Sequence, residues 1–346
     1  MYKRSETRAL KVGNVPLGGG ALVSVKTMAS VNPHDAASLI REIESVASLG
    51  CDIFRLTVPD LEAAKVLGEI RPKSPLPLVA DIHFDYRLAL ASLEAGADAL
   101  RLNPGNIGSR DKIASVVRAA KSKGVPIRIG VNGGSLENGE TLVSSALKHV
   151  KIFEDEGFFD IVISVKASDV ITTVEAYRQL AEKVNYPLHL GVTEAGTLIP
   201  GTVRSASALA ILLADGIGDT IRVSLTDSIE REVKVGLEIL RSLGLREKGP
   251  SITSCPTCGR TKVDVFKIAS QVEEELERFQ LMNPSRPLAR VAVMGCAVNG
   301  PGEAKGADVA LCGADGEFLL FVKGNAVCKV SEKDAVRKVM EYVVSL

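Results

Sequence analysis

The sequence predicts an α/β chain in two parts: a closed (βα)8 TIM barrel over residues 1–246 that binds the substrate, and a small α+β domain over 251–346. Three observations predict it. Between about residue 20 and residue 245, a short apolar run, a polar or Gly/Pro turn and a longer segment of helical periodicity recur eight times. The runs are short, and eight alternating β and α units of this kind close into a barrel more readily than they spread into an open sheet. Past GLREKGP the texture changes to a mixture of strands and helices that carries paired cysteines. A doubly wound sheet is the alternative, but no G-x-G-x-x-G turn follows the first strand.

Taken in order, the strand-like runs are LVSVKTM (22–28), IFRLTV (53–58), PLVADI (77–82), ALRLNP (99–104), PIRIGVN (126–132), DIVISVK (160–166), PLHLGVT (187–193) and TIRVSLT (220–226). Segments such as AASLIREIESVASLG, DKIASVVRAAKSKG and IEREVKVGLEILRSLGL lie between and after them, with apolar residues recurring at three and four. Gly50, Gly96, Gly124, Gly157 and Gly216 close several of these units, where a helix C-terminus takes a residue that accepts positive φ. In the second part, VFKIASQVEEELERF reads as a helix, and RVAVMG as a strand followed by a Gly-rich turn. DVALCG and EFLLFVKG are further strands, and DAVRKVMEYVVSL is the closing helix.

Composition narrows the function. With 42 Lys plus Arg against 42 Asp plus Glu, there is no bulk positive field to draw the chain onto nucleic acid or an anionic membrane. Anion recognition must then come from locally placed cations. No apolar run reaches the roughly 20 residues that span a bilayer, and the first twenty residues hold no apolar stretch of signal-peptide length. Six cysteines in 346 residues do not resemble a secreted disulfide scaffold, so a reducing cytoplasm is the expected location.

Catalytic groups of a (βα)8 barrel stand at the C-terminal ends of its strands, and here those ends are polar. Arg55 lies on the second run, Asp81 and His83 around the end of the third, and Arg101 on the fourth. Arg128 and Asn132 lie on the fifth, Lys166 ends the sixth, Glu194 follows the seventh, and Arg222 and Ser224 lie on the eighth. Side chains alternate along a strand, so the pairs 81/83, 128/132 and 222/224 each share a face. Five cations from five strands would converge on one mouth. Buried guanidinium groups need counter-charge, and a phosphate-rich ligand supplies it. The alternative is that each cation pairs with an acid on a neighbouring unit, for which only Asp81 and Glu194 stand at matching positions. His34, His149 and His189 have ordinary helix or strand surroundings and receive no role.

Cys255 and Cys258 in SCPTCGR and Cys296 in VMGCAVNGPGEA are soft ligands at a spacing that suits an iron–sulfur cluster. C-P-T-C by itself also occurs in zinc ribbons and redox dithiols. A ribbon wants a second paired knuckle, which is missing, and a dithiol does not call for Cys296. Cys51, Cys312 and Cys328 read as packed thiols.

RLNPGNIG, RIGVNGGSL, HLGVTEAG, GIGDTIRVSLT, SCPTCGR and GCAVNGPGEA, in that order and almost end to end, resemble the 4-hydroxy-3-methylbut-2-enyl diphosphate synthase family, the iron–sulfur enzymes of the non-mevalonate isoprenoid pathway. The resemblance is to the short two-domain form. It implies a barrel like that of dihydropteroate synthase joined to a domain like those of sulfite and nitrite reductases. It further implies a 4Fe-4S cluster held by Cys255, Cys258, Cys296 and Glu303, the carboxylate being a harder and more exchangeable ligand than thiolate. The implied reaction converts 2-C-methyl-D-erythritol 2,4-cyclodiphosphate to 4-hydroxy-3-methylbut-2-enyl diphosphate, with flavodoxin or ferredoxin as electron donor. Arg55, Arg101, Arg128, Lys166 and Arg222, with Asn132 and Ser224, would hold the diphosphate. Glu194 would protonate the departing hydroxyl, and Asp81 and His83 would complete the polar wall. The family assembles as a head-to-tail homodimer, one subunit's cluster over the other's barrel. One departure stands out: VKTMAS carries Lys26 where the family commonly has glutamine, adding a cation near the site.

Two other functions fit parts of the pattern. A non-redox barrel enzyme acting on a phosphorylated substrate, with a structural zinc domain, predicts bound zinc. A non-enzymatic iron–sulfur redox sensor predicts a cluster without need of the arginines.

Overall fold

The computed structural model describes residues 3–136, 139–246, 251–283, 286, 288–298, 300, 302 and 305–346. Two compact units divide the chain, Met1–Arg246 and Glu247–Leu346.

The first unit opens with a hairpin, β1 (Leu10–Val12) and β2 (Val15–Leu17). Eight parallel strands follow: β3 (Ser24–Met28), β4 (Ile53–Thr57), β5 (Leu78–Ile82), β6 (Ala99–Leu102), β7 (Ile127–Asn132), β8 (Ile161–Lys166), β9 (His189–Leu190) and β10 (Thr220–Ile221). They pair in the order β8-β7-β6-β5-β4-β3-β10-β9, and a parallel bridge between Ile163 and Leu188 joins the two ends into a barrel. The predicted fold class is therefore the observed one. Outside lie α1 (Ala36–Ser48), α2 (Leu61–Ile70), α3 (Tyr86–Glu94), α4 (Pro104–Ile107), α5 (Arg110–Lys123), α6 (Leu142–Asp155), α7 (Val170–Ala181), α8 (Leu198–Ala214) and α9 (Ile229–Ser242). Four of them start on an aspartate whose carboxylate accepts a first-turn N–H: Asp35, Asp60, Asp85 and Asp169. Each such cap satisfies a donor the helix leaves open, and it fixes the loop that leads out of the barrel mouth.

Three strands end two or more residues short of the sequence pattern. The fourth run stops at Leu102, because Pro104 opens α4, where its missing N–H costs nothing. The seventh and eighth runs shrink from seven residues each to His189–Leu190 and Thr220–Ile221. Their continuations lean together over the mouth: the Arg222 N–H still donates to the Leu190 carbonyl at 3.0 Å, and a β-carbon on Gly191 would stand 2.5 Å from the Arg222 carbonyl oxygen.

The barrel interior is layered by the two-residue alternation of its strands. Ile53, Val79, Ala99 and Val162 form an apolar floor with Leu10, Val12 and Leu17 of the hairpin, which closes the N-terminal end. Two residues further along the same strands stand Arg55, Asp81, Arg101 and Ser164. Apolar packing thus ends where the charges begin.

The second unit is a five-stranded sheet with two long helices. β11 (Ser251–Ser254), β12 (Arg290–Met294) and β13 (Val309–Ala314) run parallel, and β14 (Glu317–Val322) and β15 (Asn325–Val330) complete the sheet antiparallel. Val265–Met282 (α10) and the closing helix Glu332–Val344 share its core through Ile268, Val272, Ala335 and Val339. No helix among the described residues is long and apolar enough to cross a membrane.

Candidate active site

Arg55, Arg101, Arg128, Asn132, Lys166, Arg222 and Ser224 line one small pocket of about 110 Å³ at the C-terminal end of the barrel, together with Ser164 and Thr193. An adjoining pocket of about 500 Å³ shares Arg101, Asn132 and Thr193, and adds His83 and Glu194 to its wall. The barrel residues singled out in the sequence therefore meet in one cup, with Asp81 buried among them.

The cations are unequally balanced. Asp81, fully buried, accepts from Arg55 Nη2 at 2.5 Å, His83 Nε2 at 3.1 Å and Arg101 Nη1 at 3.3 Å. Burial alone would raise its pKa, but the Arg55 charge, the His83 hydrogen bond and the Arg101 charge hold it well below the usual carboxylate range. Arg222 Nη2 lies 3.3 Å from Glu232 on α9, which also accepts from Thr27 Oγ1 at 2.8 Å and the Leu225 N–H at 3.0 Å. Arg128 is 4% exposed, and its side chain makes no hydrogen bond or salt bridge among the described residues. The Nε atoms of Arg55, Arg128 and Arg222 are buried without a partner. Burial, then Arg55 and Arg101, disfavour the charge of Arg128; burial, then Arg128 and Arg222, disfavour that of Lys166. Lys26, on the inward face of β3, is depressed by burial, then by Arg128 and Arg55, so it stands near the cup's cations, although it lines neither pocket.

Two glycines make room for these side chains. A β-carbon on Gly130 would meet Arg101 Nε at 2.7 Å, and one on Gly191 would meet Lys166 Nζ at 2.7 Å. Glu194 reaches the mouth from a backbone at φ +52°, a left-handed conformation that costs a non-glycine residue energy. It forms none of the cups' salt bridges, so the acid that serves Arg222 is Glu232 and not the residue at the matching strand position.

In the second unit Cys255 follows β11 and Cys296 follows β12, its parallel neighbour, with the Cys255 N–H donating to the Val293 carbonyl at 3.3 Å. The Gly295 N–H donates to Cys255 Sγ at 3.2 Å. Thr257 turns the chain at φ +65° between Cys255 and Cys258, and Cys258 is exposed. Glu303 lies outside the described residues. Among those described, no three His, Cys, Asp or Glu side chains converge on a single metal ion. An iron–sulfur cube places its thiolates on separate irons and gains from N–H donors to sulfur. Three soft donors at the ends of two adjacent strands, one already receiving an N–H, fit that group. Two of the other cysteines do not compete: burial raises the Cys51 thiol to about 12 and the Cys312 thiol to about 11, which keeps both protonated.

Glu232 and His189 were not singled out in the sequence. Glu232 sits on a helix, where an acid ordinarily reads as a solvated face, and nothing in its spacing marks it. His189 is inward-facing and 1% exposed, two residues before Gly191 on the same strand face, which was the available signal. His34, by contrast, pairs at the surface with Asp60.

Residues 7–237 match the GcpE TIM-barrel domain, and residues 251–345 match the GcpE protein C-terminal domain. A 4-hydroxy-3-methylbut-2-en-1-yl diphosphate synthase (flavodoxin) of Symbiobacterium thermophilum is 52% identical over 353 residues, covering 99% of this chain and 94% of that protein. One of the same name from Geobacter sulfurreducens is 52% identical over 341 residues, covering 96% and 95%. Dihydropteroate synthases of Xanthomonas albilineans (16% identical, TM-score 0.51, 69% of this chain and 98% of that one) and Yersinia pestis (13%, 0.52, 68% and 100%) share the barrel fold. With both domain matches in place and relatives half identical from end to end, the chain belongs to the GcpE family of 4-hydroxy-3-methylbut-2-en-1-yl diphosphate synthases.

Proposed function

We propose that this chain converts 2-C-methyl-D-erythritol 2,4-cyclodiphosphate to 4-hydroxy-3-methylbut-2-enyl diphosphate in isoprenoid biosynthesis, using a 4Fe-4S cluster and taking electrons from flavodoxin or ferredoxin. Its family makes it an enzyme and an oxidoreductase; the substrate and cofactor are our reading. The observation that carries it is the cup. Five buried or half-buried cations, Arg55, Arg101, Arg128, Lys166 and Arg222, line it with two acids beside them, Asp81 and Glu232, and several of their N–H groups have no partner. A diphosphate supplies both the charge and the acceptors that this arrangement lacks.

Overall the conversion takes two electrons and two protons, breaks the carbon–oxygen bond that closes the ring and a carbon–hydroxyl bond, and releases water. The cluster, when bound by Cys255, Cys258 and Cys296, with Glu303 as fourth ligand by family resemblance, supplies the electrons. The rest is the work of the barrel's own residues. Arg128, Lys166 and Arg222, helped by Asn132 and Ser224, fix the two phosphates deep in the cup, which leaves the carbon skeleton toward the open mouth. Arg55 and Arg101 are oriented for the same task by Asp81. Glu194 stands at the wall of the wider pocket, where it can deliver a proton to the departing hydroxyl oxygen. His83, held by Asp81, closes that wall. We further propose the head-to-tail homodimer of the family and a cytoplasmic location, where a reducing medium keeps thiolates available for iron.

The test is to purify the protein without oxygen and measure visible absorption with iron, sulfide and zinc content. A brown protein with about four irons and four sulfides per chain, lost in Cys255→Ser, Cys258→Ser and Cys296→Ser, is expected. A colourless protein with stoichiometric zinc would sink the reading in favour of a structural zinc domain.

A further inference from the structure

We infer that His189 is a positioning residue of the anion cup: its imidazole holds the ammonium of Lys166 in place for a phosphate. The inference rests on the proposed diphosphate reading and concerns a residue to which that reading gives no task.

Lys166 ends β8 and is 8% exposed. Its Nζ lies 3.3 Å from His189 Nε2, its one hydrogen-bond partner among the described residues, and it has no salt bridge there. With Lys166 as an ammonium, which only donates, His189 Nε2 presents a lone pair and the ring proton sits on Nδ1. The backbone that carries the imidazole is itself fixed. The Tyr177 hydroxyl of α7 donates to the His189 carbonyl at 2.5 Å and accepts from the Val165 N–H at 3.2 Å, which ties the strand bearing Lys166 to the strand bearing His189. Gly191, on the same face, leaves the space into which Nζ fits. His189 Nδ1 is buried without a partner, so the ring gives up one hydrogen bond while keeping Nε2 on the lysine.

The surroundings explain why a neutral acceptor is used. Lys166 is faced by Arg128 from β7, Arg222 from beyond β10, and Arg55 and Arg101 from β4 and β6. His189 is faced by Lys166, Arg128, Lys26 from β3 and Arg55. The two acids of the cup are engaged elsewhere, Asp81 by Arg55, Arg101 and His83, and Glu232 by Arg222, Thr27 and Leu225. A carboxylate at position 189 would cancel the charge meant for the ligand. An imidazole kept neutral by burial and by Lys166 orients the donor and leaves its charge for phosphate.

The test uses inorganic pyrophosphate as probe and calorimetry on the full chain between pH 6.5 and 9, with the ratio of variant to wild-type Kd removing the probe's own titration. His189→Phe and His189→Leu remove the acceptor, and His189→Gln returns an amide oxygen. At pH 7 the first two are expected to weaken binding about tenfold. The ratio should widen as pH rises, because a lysine without its acceptor loses its proton earlier. His189→Gln should restore most of the affinity and flatten the ratio, which a purely structural role for the ring would not do. Arg128→Met separates the two ideas. If it weakens pyrophosphate while His189→Phe binds as wild type at every pH, the role of His189 is refuted and the cup stands. If wild-type protein binds no pyrophosphate, the cup reading fails and takes this inference with it. Should neither apolar variant fold, the four histidines of 15N-labelled wild-type protein decide: a neutral His189 with its proton on Nδ1 supports the inference, and a proton on Nε2 overturns it.

Discussion

Arg128→Met should make the protein more stable and less able to bind its ligand, and the sign of the first effect is the informative one. Arg128 is a guanidinium with 4% of its surface exposed, no acid within salt-bridge reach and cations on either side. Breaking a buried ion pair by removing one partner costs about 3–5 kcal/mol, whereas replacing buried charge by apolar groups of similar volume often stabilises by about 1–4 kcal/mol. With no pair to break at Arg128, methionine of similar length removes an uncompensated charge, so a gain of about 2 kcal/mol is expected. For a unit of this size that corresponds to a rise of roughly 4–8 °C in the melting temperature of the barrel. The same substitution removes donors to phosphate, each worth about 1.5–3 kcal/mol when charge-assisted. Pyrophosphate affinity should therefore fall by one to two orders of magnitude. Thermal melting with and without pyrophosphate measures both effects in one experiment: the variant melts higher alone and gains less from the anion. A variant that melts several degrees lower alone would mean that Arg128 is held by a structural partner, and the argument from missing counter-charge would be wrong.

Asp81→Asn should behave oppositely, losing about 3–5 kcal/mol because Arg55 and Arg101 are left buried without their shared acid. The folded pKa of Asp81 is depressed, so its contribution is complete above the unfolded value near 4 and is lost as pH falls through the folded value; acid melts of the variant should show a shallower slope below about pH 4. Glu232→Ala removes the acceptor for Arg222, Thr27 and Leu225, and a loss of about 3 kcal/mol with a raised KM is expected in melts and turnover assays. Gly191→Ala places a methyl 2.5 Å from a backbone carbonyl and 2.7 Å from Lys166 Nζ. It should cost about 1–3 kcal/mol and weaken pyrophosphate binding, while Gly124→Ala, where a β-carbon meets nothing within 4 Å, leaves pyrophosphate binding unchanged.

The barrel and its cup were legible in the sequence for one physical reason: parallel strands are buried on both faces, so a cation in such a run has few places to go but the mouth. Arg55, Arg101, Arg128 and Lys166 each break an apolar run, and the alternation of strand faces brought them together. What stayed hidden lacks that contrast. Glu232 belongs to a helix of mixed charge, and its burial follows only from α9 packing behind β3 and β10. The hairpin Leu10–Leu17 is a pair of three-residue strands whose purpose, closing the barrel floor, exists only once the barrel does. β11, reading SITS, owes its strand to pairing with β12 and carries no apolar run of its own. β15 has four exposed residues in six and is an edge strand defined by its neighbour. His189 was passed over because a lone histidine in an apolar strand usually packs quietly; its distance to Lys166 is a tertiary fact.

The central claim is that the cations of the barrel hold a cyclic diphosphate for reductive opening. Its most direct test is to add 2-C-methyl-D-erythritol 2,4-cyclodiphosphate and an artificial reductant to the anaerobically purified protein and follow products by mass spectrometry. The account predicts 4-hydroxy-3-methylbut-2-enyl diphosphate, formed by the wild type and sharply reduced in Arg128→Met. Unchanged cyclodiphosphate in the presence of a full complement of iron and sulfide would contradict it.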